Sequence, residues 1–400
     1  MRGNRKILHI VASLADAHGG PTEAVLGMVG ALRTEGIDAR ILSSNDDAGD
    51  SLKVPTSEWM EYRGVPVCFL PRVESKSHSL VGFTYTPGMS AWLDRNSSEF
   101  SFFHVHTVFS HPATVAMRHA RQRRIPYAVR PLGQLCRWSM TQRYLVKRLH
   151  LSLIGRRNIN GAAFLHATSK MEAEESMELG FKCAVRIVPH GLNVPPMTTW
   201  DALLHRKALG LPSAPRLLLF LSRIHEKKGL DLLIHACAQV PSNDFHLVIA
   251  GDGDASYVKG LKELATSLNF ASRCHWLGFL HGEAKWAALA ACDVFALPSQ
   301  SENFGIAALE AAGAGLGLIL SSEVGLARDL EEQGLARVVP RSVRDLSVAI
   351  QEEMARHFES GGREQRRLAV SSHYSWKASA TSLMECYQEF SGLASPGIRS

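Results

Sequence analysis

The chain has 400 residues, 46% of them hydrophobic, and a formal net charge of +6. That is apolar material for two domain cores of ordinary size, and no apolar run approaches the ~18 residues that cross a bilayer. Seven cysteines at scattered spacings, without a CxxC pair, fit reduced thiols in the cytoplasm and exclude a disulfide scaffold.

The order of elements alternates from the start. "KILHIVA" (6–12) reads as a first strand, not as a signal peptide, because a Gly-Gly loop follows so short an apolar run. A helical pattern, "PTEAVLGMVGALRTEG", and a second strand, "DARILS", come next. Residues 46–59 are polar and irregular and read as a loop. Strand-like runs recur at 65–70, 102–108, 127–131, 162–169 and 185–190. Apolar runs of this kind, separated by helices, predict parallel strands buried on both faces. "GLNVPPMTTW" (191–200) breaks the rhythm and reads as a linker. The alternation restarts with strands at 216–224, 245–253, 273–279, 293–299 and 316–322. An amphipathic helix (375–390) and a frayed tail close the chain. Two successive doubly wound α/β units are the simplest fold, with ligands expected in a cleft lined by loops at the carboxyl ends of strands.

Charge is distributed unevenly over these units. Up to His190 there are 24 Lys and Arg against 16 Asp and Glu, and after it 20 against 22. Between Phe100 and Met171 there is no acid, while twelve Lys and Arg occur. Such a segment attracts anions: phosphates, nucleic acid or an acidic membrane. Within it, 137–157 reads as one amphipathic helix with Arg143, Lys147 and Arg148 beside Trp138, Tyr144, Leu145 and Leu149, a composition suited either to a membrane surface or to a partly buried helix.

Five loops carry the candidate chemistry, and all follow strands. In "ADAHGGPTEAV" (15–25), Gly19 and Gly20 let the backbone approach a ligand ahead of a Pro-started helix, although a plain turn fits as well. The spacing is not GxGxxG, which argues against a nicotinamide or flavin site. In "LSRIHEKKGLDLL" (221–233), Arg223 and Lys228 can clamp a diphosphate from two sides, or form a solvated basic loop. In "AGDGDAS" (250–256) the glycines, Gly251 among them, permit close approach of the backbone, and "HWLGFL" (275–280) offers Gly278 and Leu280, where main-chain groups can meet a base edge. In "SQSENFGIAALEAAGAG" (299–315), Glu302 lies on a loop and Glu310 in the helix after it. The N–H groups near Phe304, Gly305 and Ile306 can meet a phosphate. An acid at a helix start beside an ordinary surface glutamate is the plainer alternative.

Taken together, these loops resemble family 4 of the glycosyltransferases, retaining nucleotide-sugar enzymes of GT-B fold. "PSQSENFGIAALE" is similar to that family's E-x(7)-E motif, "SRIHEKKGLDLL" to its Arg and Lys before a helix, "GGPTEAV" to its N-terminal loop and "VPHGLNV" to its segment between domains. The resemblance runs from about Lys6 to the last helix. It implies two Rossmann-like domains facing a central cleft: an acceptor domain (1–190), a nucleotide-sugar domain (191–374), and a C-terminal helix with its tail (375–400) crossing back to the first. It implies that Glu302 contacts the transferred sugar and that Glu310 holds the donor ribose. Arg223 and Lys228 would neutralise the leaving diphosphate, with Gly19, Gly20, Gly305 and Ile306 assisting and Leu280 lining the base. No metal and no cofactor are implied beyond the nucleotide-diphosphate sugar. The acceptor would be a glycan or a lipid-linked glycan in surface polysaccharide synthesis at the cytoplasmic face, where the composition of 137–157, read by itself, would suit an anionic membrane. Nucleic acid is not an expected partner, since no recognition motif accompanies the basic segment.

One departure stands out. Many members carry a His in a Pro-His-Gly setting after the strand at 127–131, where this chain has "RPLGQL" with Leu132. His106 and His111 lie nearby in strand order and are candidates for sugar or acceptor contacts, or for structural roles. A nucleotide-sugar epimerase and a silent nucleotide-sugar-binding subunit remain the alternatives.

Overall fold

The computed structural model describes residues 6–15, 20–47, 50–73, 83–195, 200–241, 244–355 and 362–391. Gly19, much of the expected linker (196–199) and the C-terminal tail lie outside them. The chain divides into two compact units, one of residues 1–191 with 374–400 and one of 192–373.

Unit 1 is built on an eight-stranded sheet. Its strands are β1 (Lys6–Val11), β2 (Asp38–Ser44), β3 (Trp59–Tyr62), β4 (Val65–Leu70), β5 (Phe102–His106), β6 (Tyr127–Arg130), β7 (Phe164–Ala167) and β8 (Ala184–Ile187). They lie in the order β8-β7-β6-β5-β1-β2-β4-β3, parallel throughout except for the antiparallel β3–β4 pair. Both faces of the sheet are buried, as the uninterrupted apolar runs predict. Ile7, Val11 and Phe102 pack on one side, and Leu8, Ile10, Phe103 and Val105 on the other.

Two helices cover the first of these sides: α1 (Gly20–Thr34), and the last helix of the chain (Trp376–Ser391), which contributes Leu383, Met384 and Tyr387 to the core. Trp376 fixes the seating of that last helix. A Cβ added at either Gly27 or Gly191 would stand 2.3 Å from its side chain.

Part of the stretch expected to be a loop is ordered differently. Residues 46–47 pair antiparallel with 50–51, and Trp59 begins β3. The β3 strand alternates exposed and half-buried residues at the sheet edge, so it lacks the apolar run that marks its neighbours. It turns into β4 through Arg63 and Gly64, both at positive φ (50° and 81°), the backbone a two-residue hairpin requires.

The basic stretch 137–157 is not one helix. Arg137–Thr141 ends before Arg143, which sits in the left-handed region at φ 50°. Helical turns then resume over Tyr144–His150, widen to a π-helical turn over Leu151–Gly155 and continue through Arg156–Asn160. Lys147 does not face water freely. Its Nζ donates to Ser139 O and Oγ at 2.6 and 2.7 Å and lies 5.2 Å from the Phe109 ring.

Unit 2 holds six parallel strands: β9 (Arg216–Leu221), β10 (Phe245–Ala250), β11 (Cys274–Gly278), β12 (Val294–Leu297), β13 (Gly317–Ser321) and β14 (Arg337–Val339). Their order is β11-β10-β9-β12-β13-β14. Strand order reverses between β9 and β12, where ligands of such sheets bind beyond the strand ends. The short β14 was not legible as a strand, because only its last residue is buried.

Candidate functional site

In unit 2, the loops after β9 and β12 meet at the point where strand order reverses. Arg223 follows β9 and is exposed, with no acid paired to it among the described residues. Lys228 ends a single 3-10 turn. Gly229 follows at φ 70°, so close to the β12 loop that a Cβ there would stand 2.4 Å from Pro298 O. Gln300 N–H donates to Lys227 O at 2.7 Å and ties the two loops together. Lys228 Nζ forms an ion pair with Glu302 Oε2, which joins two of the residues singled out from sequence.

Glu302 is held by its backbone. Its N–H donates to Glu323 O at 2.9 Å, and its carbonyl accepts from Gly325 N–H at 2.8 Å. Gly305 follows at φ 97°, with room only for hydrogen where a Cβ would meet Val324 Cγ1 at 2.8 Å. The chain then enters the helix Ile306–Gly313, whose first N–H groups have no acceptor within the helix and no side-chain cap at Gly305. Phe304 is buried beneath that turn. Glu310, in the second turn, is 9% exposed, and its Oε1 lies 2.5 Å from Lys285 Nζ on the helix Gly282–Ala291. Burial raises the Glu310 pKa above the usual carboxylate range, and the Lys285 charge opposes that rise. Lys285 escaped sequence reasoning, since a lysine at a helix start carries no signal until the fold brings Glu310 to it.

The glycines of "AGDGD" stand close to a neighbouring loop. Gly251 (φ 147°) and Gly253 lie against the loop after β9, where a Cβ would fall 1.9 Å from Ser222 O and 2.0 Å from Ile224 O. The close approach they permit is between loops. Gly251 N–H also donates to Gly278 O at 2.7 Å, and Ile224 N–H to Asp252 O at 2.8 Å. The three stitched loops border a cavity of about 590 Å³ lined by Ile224, Gly251, Gly253, Lys262, Trp276 and Gly278. Leu280 lies just past β11 and is partly buried, beside an exposed Phe279.

In unit 1, Gly20 opens α1, while Gly19 lies outside the described residues. His106 is not at a surface. It is fully buried, and its Nε2 lies 3.1 Å from His9 Nδ1. His111 is half-buried. Its Nδ1 accepts from Thr86 N–H at 3.2 Å, and its ring meets Tyr85 edge-on at 4.6 Å. Leu132 occupies the left-handed region at φ 52°, followed by Gly133 at 73°. The buried Glu172 pins this loop, accepting from Gly133 N–H at 2.8 Å and from Thr168 N–H at 2.7 Å. Gln134 Oε1 accepts from the Val108 and Phe109 N–H groups and binds the β5 and β6 loops together. Below them, Arg130 is wholly buried and donates to His190 Nδ1 at 2.7 Å.

Comparison with known proteins agrees with this geometry. Residues 201–362 match the family model "Glycosyl transferases group 1", and residues 19–191 match "Glycosyl transferase 4-like domain". A D-inositol 3-phosphate glycosyltransferase of Geodermatophilus obscurus is 29% identical over 212 residues, which is 50% of this chain and 46% of the relative. A phosphatidyl-myo-inositol mannosyltransferase of Mycobacterium tuberculosis is 27% identical over 62% of this chain and 63% of its own. The matched region thus spans about half the length of the first of these relatives. Among solved structures, a sucrose-phosphate synthase from Thermosynechococcus elongatus superposes with a TM-score of 0.72 at 21% identity, covering 98% of this chain and 100% of that one. Anabaena HepE in complex with UDP and glucose superposes with a TM-score of 0.70 at 19% identity, covering 96% and 100%. With its two halves matched by two models of the same class and its fold shared along nearly the whole chain, the protein belongs to family 4 of the glycosyltransferases and has the GT-B fold.

Proposed function

We propose that this protein transfers a hexose, with retention of configuration, from a nucleoside-diphosphate sugar to a glycan or lipid-linked acceptor. The observation that carries the reading is the junction of the β9 and β12 loops. There Lys228 is paired with Glu302, Arg223 stands exposed just after β9, and the helix Ile306–Gly313 begins at Gly305, against the Glu302 side chain. Cleavage of the anomeric C–O bond leaves charge on the departing diphosphate. Two cations and a helix N-terminus supply the stabilisation that a metal provides elsewhere. The acceptor hydroxyl forms the new bond and gives its proton to a leaving phosphate oxygen, so no side-chain base is required. Glu302 then serves as a sugar-positioning group and Glu310 as the ribose ligand.

UDP-glucose is the first donor to test, because HepE was solved with UDP and with UDP-glucose. A role in polysaccharide assembly on the cytoplasmic side fits this chemistry, and all seven cysteines are unpaired, as in a reducing compartment. The silent-subunit reading is favoured by one observation, an apolar Leu132 in the left-handed region, where the family resemblance implies a His. One experiment separates the two. Release of UDP from UDP-glucose is measured with an acceptor panel, for wild type and for Glu302→Ala. Turnover abolished in the variant supports transfer. UDP binding without turnover under any acceptor supports the silent reading.

A further inference from the structure

In unit 2 one buried carboxylate is already engaged by a cation. Glu310, in the second turn of the helix Ile306–Gly313, is 9% exposed. A carboxylate so enclosed needs partners to stay ionised. Its Oε1 has one, Lys285 Nζ at 2.5 Å. Its Oε2 accepts no hydrogen bond among the described residues. Lys285 is not a loose surface lysine. It stands in the first turn of the helix Gly282–Ala291, which is anchored by the buried Trp286, Ala288 and Leu289. Its side chain is 27% exposed.

The proposed reaction gives Glu310 the donor ribose. A ribose presents two neighbouring hydroxyls, and a carboxylate that grips both turns both oxygens to them. Here an ammonium group occupies one oxygen, so Glu310 keeps Oε2 for a single hydroxyl. A ligand that lacks the second hydroxyl then strands no charge, because Lys285 stays on Oε1 with or without it. Sites that reject a missing hydroxyl by several powers of ten do so because a buried polar group is left unpaired. The Lys285 contact removes that penalty in advance.

We propose that Lys285 makes the donor site read one ribose hydroxyl, so that the protein takes 2′-deoxyribonucleoside diphosphate sugars as well as their ribonucleoside counterparts. The proposal rests on Glu310 as the ribose ligand and adds a class of donor to that reading. Lys285 acts through Glu310 as a positioning residue that sets specificity, and no step of the transfer passes through it.

The test is calorimetric titration with UDP and 2′-deoxy-UDP, and with the matching guanosine and adenosine pairs. It compares the dissociation constants of the two sugars at constant base for wild type, Lys285→Met, Lys285→Arg and Glu310→Ala, and the base that binds most tightly decides. In wild type the deoxy form is expected to bind within about tenfold of the ribo form. Lys285→Met should widen the gap to about a hundredfold or more. Lys285→Arg, which returns a cation to Oε1, should close it again. A gap of about a hundredfold or more in wild type overturns the proposal. So does a Met variant with the wild-type gap, since an ion pair that only braces the fold shifts both affinities alike. If the Met variant does not fold, the wild-type and Arg gaps still decide. Glu310→Ala keeps the two readings apart. Unchanged affinity for the ribonucleotide in that variant sinks the ribose assignment itself, whereas weakened affinity beside a wide wild-type gap sinks only the role of Lys285. A wild type that binds none of the six nucleotides overturns both.

Discussion

Lys285 Nζ sits 2.5 Å from Glu310 Oε1, so the buried carboxylate that follows the β12 loop draws its counter-ion from the neighbouring helix. Burial raises the Glu310 pKa above its usual 4.5, and Lys285 restrains the rise. A carboxyl group raised in this way binds protons more readily folded than unfolded. Its contribution to the stability of unit 2 therefore grows as pH falls through the window above 4.5, and is lost as pH rises through it. Nucleotide affinity should move the other way. If the ionised carboxylate accepts from ribose hydroxyls, UDP binding weakens as pH falls through the same window. Lys285→Met removes the restraint and should shift that weakening to higher pH. Calorimetric titration with UDP across the acid range checks this, and affinity independent of pH in both proteins would contradict it.

The Lys228–Glu302 ion pair makes a second prediction, of coupling. Lys228→Ala and Arg223→Ala should each lower kcat/KM by roughly tenfold to a thousandfold, as expected for losing a charge-assisted contact to a leaving group. Glu302→Ala should spare UDP affinity and reduce kcat, whereas Glu310→Ala should weaken UDP itself. Because Lys228 and Glu302 touch, the double variant should lose less than the two single losses added together. Additive losses would mean that the pair does not act as a unit.

How much of this was legible in the sequence depends on the kind of interaction. The buried parallel strands announced themselves, since a strand covered on both faces must be apolar along its length, as "RLLLFL" and "VFAL" are. The edge strand Trp59–Tyr62 did not, because half of it faces water. Glu302, Glu310 and Lys228 stood out by position after strands. Lys285 and Glu172 did not, since the Glu310 carboxylate and the Gly133 N–H that they meet lie 25 and 39 residues away. His106 was picked out for lying near a strand end, yet strand order says nothing about depth, and the ring is fully buried. Likewise the "AGDGD" glycines signal a close approach of backbone, but the sequence does not name what they approach, which in the fold is the loop after β9.

That approach makes a third prediction. In Gly251→Ala the new methyl would fall 1.9 Å from Ser222 O, at a backbone φ of 147° that a side chain rarely adopts. Neither backbone can yield without parting the Ile224–Gly253 bridge. Unit 2 should lose about 3 kcal/mol or more of stability, and UDP-induced thermal stabilisation should disappear. Gly260→Ala, inside the helix Ala255–Ser267 where a Cβ meets nothing within 4 Å, is the control and should hold or slightly raise stability and keep the UDP response. Equal melting of the two variants would show that the stitched loops are not under the constraint described.

The last prediction concerns the interior of unit 1, where histidines replace hydrocarbon on the side of the sheet covered by the final helix. His9, His104, His106 and His166 are fully buried, and His190 nearly so, around Arg130. His104 Nδ1 bonds to the Tyr387 hydroxyl at 2.6 Å, and its Nε2 faces His166 Nδ1 at 3.2 Å. Burial first, and the Arg130 charge after it, push His9 and His166 down to about 3, and His104, His106 and His190 are lowered as well. Among the described residues, Glu172 and then the Tyr387 phenol act on Arg130 in favour of its protonated form. These rings are therefore neutral in the folded state and protonate in the unfolded chain once pH drops below about 6.5. Their contribution to stability is complete above that value and is lost as pH falls toward 3, at up to about 1.4 kcal/mol per pH unit for each ring. Unit 1 and its C-terminal helix should open in acid while unit 2 remains folded. Hydrogen exchange at about pH 7 and about pH 5 resolves the two units. Tyr387→Phe, which removes the hydroxyl from His104, should cost about 1–3 kcal/mol and raise the pH at which unit 1 opens. Equal protection of unit 1 at both pH values would show that the cluster accepts protons without loss of the fold.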